Sequence, residues 1–264
     1  EGKFAKGKGS FKEMDGYSPY RDFFKSHIKL SKNKKIAVAV ECLYASGALL
    51  IPKLYEELGL EVIPSHAEAM DDFNKQRPEP KVENLKELGK LIVESKADFG
   101  VALDGVCDRS VLMDDKGREM NGSISSAVFI KHILPQQPKS KRTVIITVDC
   151  NSELKGLTES FGGKLVWSEV GHGFIGKNVY DRKAVYGGEM SSHMWFEPFP
   201  FSDGFYCGLK MAELLSATNK KLSQLHDEVK FAPMLKEYIS CGSHEKKEKV
   251  KDALVAKYLR LFPN

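Results

Sequence analysis

The chain has 264 residues, 42% hydrophobic and 29% charged, a globular composition that excludes disordered, collagenous and low-complexity classes. The formal net charge is only +4 with basic and acidic residues interleaved, so there is no footprint for nucleic acid, and no apolar run approaches the ~20 residues a membrane-spanning helix needs. Five cysteines (Cys42, Cys107, Cys150, Cys207, Cys241) lie far apart, without a Cys-x-x-Cys pair or a histidine pair at zinc spacing, a usage that fits a reducing, cytoplasmic compartment.

The first residue is Glu, not Met, and residues 1–10 are Gly/Lys-rich without the apolar centre of a signal peptide, so the expectation is a piece of a longer protein. Residues 36–40 read as a strand, 47–58 as a helix stopped by Gly59, and 60–63 as a second strand ending before Pro64. Arg77-Pro-Glu-Pro80 is extended punctuation; 82–96 then carries Leu85, Leu88 and Ile92 on one face and leads into a strand at 99–103. Loop 104–109 separates that strand from 110–113, and Asp114-Asp-Lys-Gly117 is a tight turn. After the loop-like stretch 136–141 the grammar returns: strand 143–148, helix 152–161 closed by Gly162-Gly163, strand 164–167. Helical spacing resumes at 203–217, from Lys221, and at 243–262, where Ser243 is a plausible N-cap and Val250, Leu254 and Tyr258 form one stripe. The expected fold class is α/β: two consecutive similar α/β domains with mixed sheets flanked by helices, plus a C-terminal partial domain.

Three loops carry candidate chemistry. Asp104-Gly-Val-Cys-Asp-Arg109 follows an apolar strand, where open α/β sheets place ligands; two carboxylates four residues apart can turn onto a hard cation, and the arginine fork can hold an anion beside it. The same residues read equally as a solvated Asp/Arg turn. Gly187-Gly-Glu-Met-Ser-Ser-His193 offers the donors and acceptors that sugar hydroxyls need, or is a β-turn with polar decoration. Val170-Gly-His-Gly-Phe-Ile-Gly-Lys177 reads as a Gly-punctuated turn with one His and one Lys.

In their order, the segments Leu54-Tyr-Glu-Glu-Leu-Gly-Leu-Glu-Val-Ile63, Arg77-Pro-Glu-Pro80, Ala97-Asp-Phe-Gly-Val-Ala-Leu-Asp-Gly105, Asp108-Arg109, Gly171-His172 and Gly188-Glu-Met-Ser191 with His193 resemble the α-D-phosphohexomutase superfamily, in its phosphomannomutase/phosphoglucomutase branch. Members have four domains. The resemblance implies that residues 1–16 are a linker from a first domain, 17–122 the second domain with its metal loop, 123–230 the third with its sugar loop, and 231–264 the start of the fourth. It implies interconversion of a hexose 1-phosphate and its 6-phosphate through a phosphoserine, with Asp104 and Asp108 as ligands of Mg²⁺ and Arg109 as the catalytic arginine. Glu189, Ser191, His193, His172 and Lys177 become the substrate-binding set for a hexose phosphate, with no nucleic-acid or membrane partner.

The pattern also departs from the family. Val106 stands where the middle aspartate belongs, Cys107 and Ser192 where glycines are usual, and Gly176 where a lysine is usual. Neither the Ser-His-Asn-Pro loop that presents the phosphoserine nor the Arg-x-Ser-x-Thr-Glu-Pro phosphate loop occurs in the 264 residues. Weak magnesium binding is therefore expected, and a catalytically inactive relic that binds sugar phosphate, or acts as a scaffold, is the alternative reading. Glu189 is expected near the surface, ionised, with little part in stability.

Overall fold

The computed structural model describes residue 7, residues 9–235 and residues 239–261. The chain divides into two units, Glu1–Phe231 and Ala232–Asn264. In the first unit, α1 (Tyr17–His27) precedes β1 (Ala37–Glu41), α2 (Ile51–Glu57), β2 (Glu61–Ser65), α3 (Val82–Ser95), β3 (Phe99–Leu103), β4 (Ser110–Asp114) and β5 (Glu119–Met120). There follow α4 (Gly122–Gln136), β6 (Thr143–Thr147), α5 (Glu153–Ser160), β7 (Lys164–Ser168), α6 (His172–Arg182), β8 (Tyr186–Gly188), β9 (Met194–Phe196), α7 (Gly204–Ser216) and α8 (Leu222–Asp227). The second unit holds α9 (His244–Leu261), which Ser243 begins by accepting the Lys246 N–H; Phe262, the expected helix end, lies outside the described residues. Among the described residues no helix is long and apolar enough to cross a membrane.

Two sheets repeat one plan. The first runs β2-β1-β3-β4-β5 and the second β7-β6-β8-β9. In each, three strands are parallel and the next is an antiparallel return: β1 pairs in parallel with β2 and β3, then β4 runs back along β3; β6 pairs in parallel with β7 and β8, then β9 runs back along β8. The mixed α/β class expected from the alternation is what forms. α4 and α7 each touch both sheets, and one hydrophobic core extends from Val38 and Phe99 to Val144 and Phe196. The halves approach closely at Gly208 of α7, where a Cβ would stand 2.1 Å from the Tyr55 hydroxyl, which itself donates to the Phe205 carbonyl.

Some elements differ from the expectation, each for a physical reason. Pro64 lies inside β2, paired opposite Val40, because β2 is an edge strand whose outer side needs no N–H donor. The expected helix over 47–58 begins as a 3-10 turn at Ser46–Leu49 and becomes α-helical only at α2. α4 is buried nearly all round, including Ser123, Ser125 and Ser126, so it shows no amphipathic stripe. α6 starts at His172, turning the expected loop 170–177 into a helix headed by Gly171 at φ 136°.

A polar latch closes the face where α8 meets the hairpin of β4 and β5. The buried Asp114 carboxylate accepts from Arg118 Nε at 2.8 Å and lies 3.0 Å from His226 Nδ1, while Arg118 also reaches Asp227. Burial raises the Asp114 pKa, but the bonds from His226, Arg118 and two backbone N–H groups outweigh it and bring it down to about 2. A carboxyl depressed below its unfolded value stabilises fully above that value and loses its contribution as pH falls through the folded pKa. Asp114→Asn is expected to cost about 2 kcal/mol at neutral pH in urea unfolding, with the difference from wild type shrinking between about pH 4 and about pH 2. A difference that stays constant over that interval contradicts this account.

Candidate active site

In a sheet of order 2-1-3 the chain leaves the central strand to one side and returns on the other, and the crevice beyond the carboxyl ends at that reversal is where open α/β sheets bind ligands. The first sheet reverses between β1 and β3, the second between β6 and β8. Loop 104–109 leaves β3 and loop 189–193 leaves β8, so each comes from its own reversal point. The structure brings the two loops together.

Arg109 and His193 form an antiparallel backbone bridge, and the Ser110 N–H donates to the Ser192 carbonyl at 3.1 Å. Ser202, which the sequence did not single out, fastens the seam: its hydroxyl donates to the Asp108 carbonyl at 2.6 Å and accepts from the Met194 N–H at 3.0 Å. Cys107 and Ser192 have φ of 63° and 70°, so the left-handed turns survive at both positions where the family resemblance expects glycine.

Glu189 is only 3% exposed, which overturns the expectation of a surface carboxylate. Its Oε1 accepts from the Gly171 N–H at 2.9 Å; its Oε2 accepts from the Ser191 hydroxyl at 2.9 Å and lies 2.7 Å from His193 Nδ1. Burial pushes its pKa up, but these bonds, led by that from His193, pull it below the usual carboxylate range. With Nδ1 held by Glu189, the far side of the ring places Nε2 3.5 Å from Asp108 Oδ1, across the seam. The His172 ring lies 5.2 Å from both the His193 and the Trp195 rings. Asp104, Asp108, Arg109, Glu189, Ser191, His193 and His172 thus share one neighbourhood.

Lys177 does not join them. It is exposed on α6 and pairs with Asp181 one turn on, whereas position 176 faces the site wall: a Cβ at Gly176 would touch Trp195 Nε1 at 3.5 Å. The family lysine position is thus the inward one, and the neighbouring lysine points away.

The donor set of loop 104–109 does not suit magnesium. Among the described residues no three His, Cys, Asp or Glu side chains converge as a metal site. Asp104 spends both oxygens on Arg109, one on its N–H at 3.3 Å and one on Nε at 2.9 Å. Val106 is exposed and brings no side-chain oxygen, and burial raises the Cys107 thiol to about 11, so it is no thiolate. Mg²⁺ needs near-octahedral oxygens and dehydrates reluctantly; these residues do not fit it.

Comparison with known proteins agrees with this architecture. Residues 18–117 match the family model described as phosphoglucomutase/phosphomannomutase, alpha/beta/alpha domain II, and residues 121–231 match that of domain III. A probable phosphoglucosamine mutase of Methanosarcina barkeri is 32% identical over 83% of this chain and 49% of its own length. A phosphomannomutase/phosphoglucomutase of Pseudomonas aeruginosa is 32% identical over 80% of this chain and 46% of its own. The crystal structure of a phosphoglucomutase/phosphomannomutase family protein from Burkholderia thailandensis shares the fold with a TM-score of 0.77 at 24% identity, covering 84% of this chain and 48% of that one. The chain belongs to the α-D-phosphohexomutase superfamily, and it spans about half the length of the curated relatives it matches.

Removing Glu189 leaves the His193 imidazole, the Ser191 hydroxyl and the Gly171 N–H without their common acceptor. Glu189→Ala is expected to cost about 3 kcal/mol, a fall of roughly 6–12 °C in Tm, since breaking a buried charged pair leaves its partner uncompensated. A Tm within a degree or so of wild type in scanning calorimetry restores the surface reading.

Proposed function

We propose that this chain is the central part of a phosphohexomutase, domains II and III with residues 231–264 opening a fourth, and that it serves the interconversion of a hexose 1-phosphate and its 6-phosphate through a phosphoserine. The carrying observation is the seam itself: an arginine loop suited to phosphate and a Glu-Ser-His loop suited to sugar hydroxyls are bonded to each other at two reversal points. Phosphoryl transfer is catalysed mainly by positioning and charge neutralisation. Arg109 supplies a fixed cation whose orientation is set by Asp104. Ser191 and His193 supply hydrogen-bonding atoms for ring hydroxyls, and Glu189 acts through them as a positioning residue. His172 flanks the same wall.

The nucleophile of the family reaction is absent from the 264 residues, which have no Ser-His-Asn-Pro loop. A sugar-phosphate-binding module without turnover is the second reading, favoured by the donor set of loop 104–109, which does not suit a metal.

The purified chain is expected to show no turnover of glucose 1-phosphate in a coupled assay with a bisphosphate activator, yet to bind glucose 6-phosphate at about millimolar concentration through a few hydrogen bonds and one charged contact. Amide and imidazole shifts on titration should centre on Arg109, Ser191 and His193. Saturable shifts elsewhere, with none at these residues, remove the sugar-phosphate reading; measurable turnover removes the statement about the nucleophile.

A further inference from the structure

Most oxygens of loop 104–109 are already committed. The Asp104 carbonyl accepts the Cys107 N–H, the Gly105 carbonyl accepts the Ser46 hydroxyl, the Cys107 carbonyl accepts the Gly204 N–H and the Asp108 carbonyl accepts the Ser202 hydroxyl. The Asp104 carboxylate is closed on Arg109 and only 3% exposed. What remains for a hard cation is the Asp108 carboxylate, which already faces His193, and the Val106 and Arg109 carbonyls. A dication drawn to Asp104 would share a buried carboxylate whose Oδ2 already holds the Arg109 guanidinium, and would sit beside that positive charge. Like charges at such range repel even where the effective dielectric is well above that of a dry interior.

Arg109 is arranged the other way. Its N–H and Nε are anchored to Asp104, which fixes the guanidinium plane, while the two terminal amino groups have no partner among the described residues and the side chain is 30% exposed. A planar fork held from behind with its outer edge free is the geometry that receives two oxygens of a phosphate.

We propose that this loop binds a phosphate monoester without any divalent cation, Arg109 providing the positive charge that a metal would otherwise bring. This rests on the phosphate part of the proposed function and goes beyond it by removing the metal. The loop's fixed hydrogen bonds make it a preformed anion platform, and Val106 at its tip is a neutral rim with no coordinating role.

The test uses the whole chain, with inorganic phosphate and glucose 6-phosphate as ligands and Mn²⁺ as the metal probe. Phosphate affinity by calorimetry should be the same in chelator and in excess Mg²⁺ to within about twofold, and Arg109→Lys, which keeps the charge but loses the fork, should weaken it about tenfold without changing Mg²⁺ dependence. Mn²⁺ should leave the amide signals of residues 104–109 unbroadened in the wild type, and Val106→Asp, which adds a carboxylate beside Asp108, should introduce broadening there. Mn²⁺ broadening of those signals in the wild type, a roughly tenfold gain in phosphate affinity from Mg²⁺, or no phosphate binding in chelator each overturns the inference. If inorganic phosphate behaves as expected but glucose 6-phosphate binds no tighter and leaves Ser191 and His193 unshifted, the sugar reading fails while the metal-free platform stands.

Discussion

Burying the Glu189 carboxylate obliges the fold to bring donors to it, because an ionised group sealed from water without partners costs several kcal/mol. The donors come from three places: the backbone N–H at the head of α6, the Ser191 hydroxyl and the His193 ring. Satisfying the carboxylate therefore fixes the start of a helix, the curl of a loop and the orientation of an imidazole together. That imidazole faces Asp108 on the other side of the seam, which the Arg109–His193 backbone bridge holds in register. The backbone of the same residue bounds the approach of α4, since a Cβ at Gly122 would stand 2.1 Å from the Glu189 carbonyl.

The repeat of one sheet plan explains why such a seam can exist. Each sheet by itself offers a single reversal point with loops on one edge. Packing α4 and α7 against both sheets turns the two edges toward one another and makes a composite site of loops that are far apart in sequence. The close contact of Gly208 with Tyr55 and the latch from Asp114 to His226 also hold the halves together, the first of them through Phe205 beside Gly204, whose N–H bonds the Cys107 carbonyl.

The parts legible in the sequence are those where local pattern and final environment coincide. The strands at 37–41, 99–103 and 143–147 are short apolar runs bounded by polar residues, and α3 and α7 carry apolar spacing of period 3.6. α4 was illegible because both sheets cover it and no polar face remains to mark its phase. α6 is hidden by Gly171, Gly173 and Gly176, which read as turn residues, although a Cβ at 176 would make only ordinary contact with Trp195. The order of the loops was enough to group Asp104, Arg109, Glu189 and His193, but burial is a tertiary property. Nothing in Gly-Glu-Met-Ser says that the carboxylate faces inward, and nothing in the spacing separates Lys177 from the inward position beside it.

Loop 104–109 shows how chemistry and shape can part company. Cys107 keeps φ at 63°, a conformation that costs a non-glycine residue roughly 1–2 kcal/mol, and Ser192 does the same across the seam. Such strain persists only where the surroundings over-determine the backbone, and here they do: Cys107 donates its N–H to Asp104 and accepts from Gly204 through its carbonyl, while Ser192 donates to Glu189 and accepts from Ser110. The backbone path is set by these four bonds, which involve no side chain of the strained residues. The exposed side chain at 106 is consequently free to change without moving Asp104, Asp108 or Arg109, whereas Cys107 is held by its Sγ contacts with the Ser46 hydroxyl and the Asp104 carbonyl, so the ion pair that aims the arginine does not depend on what stands at the tip of the loop.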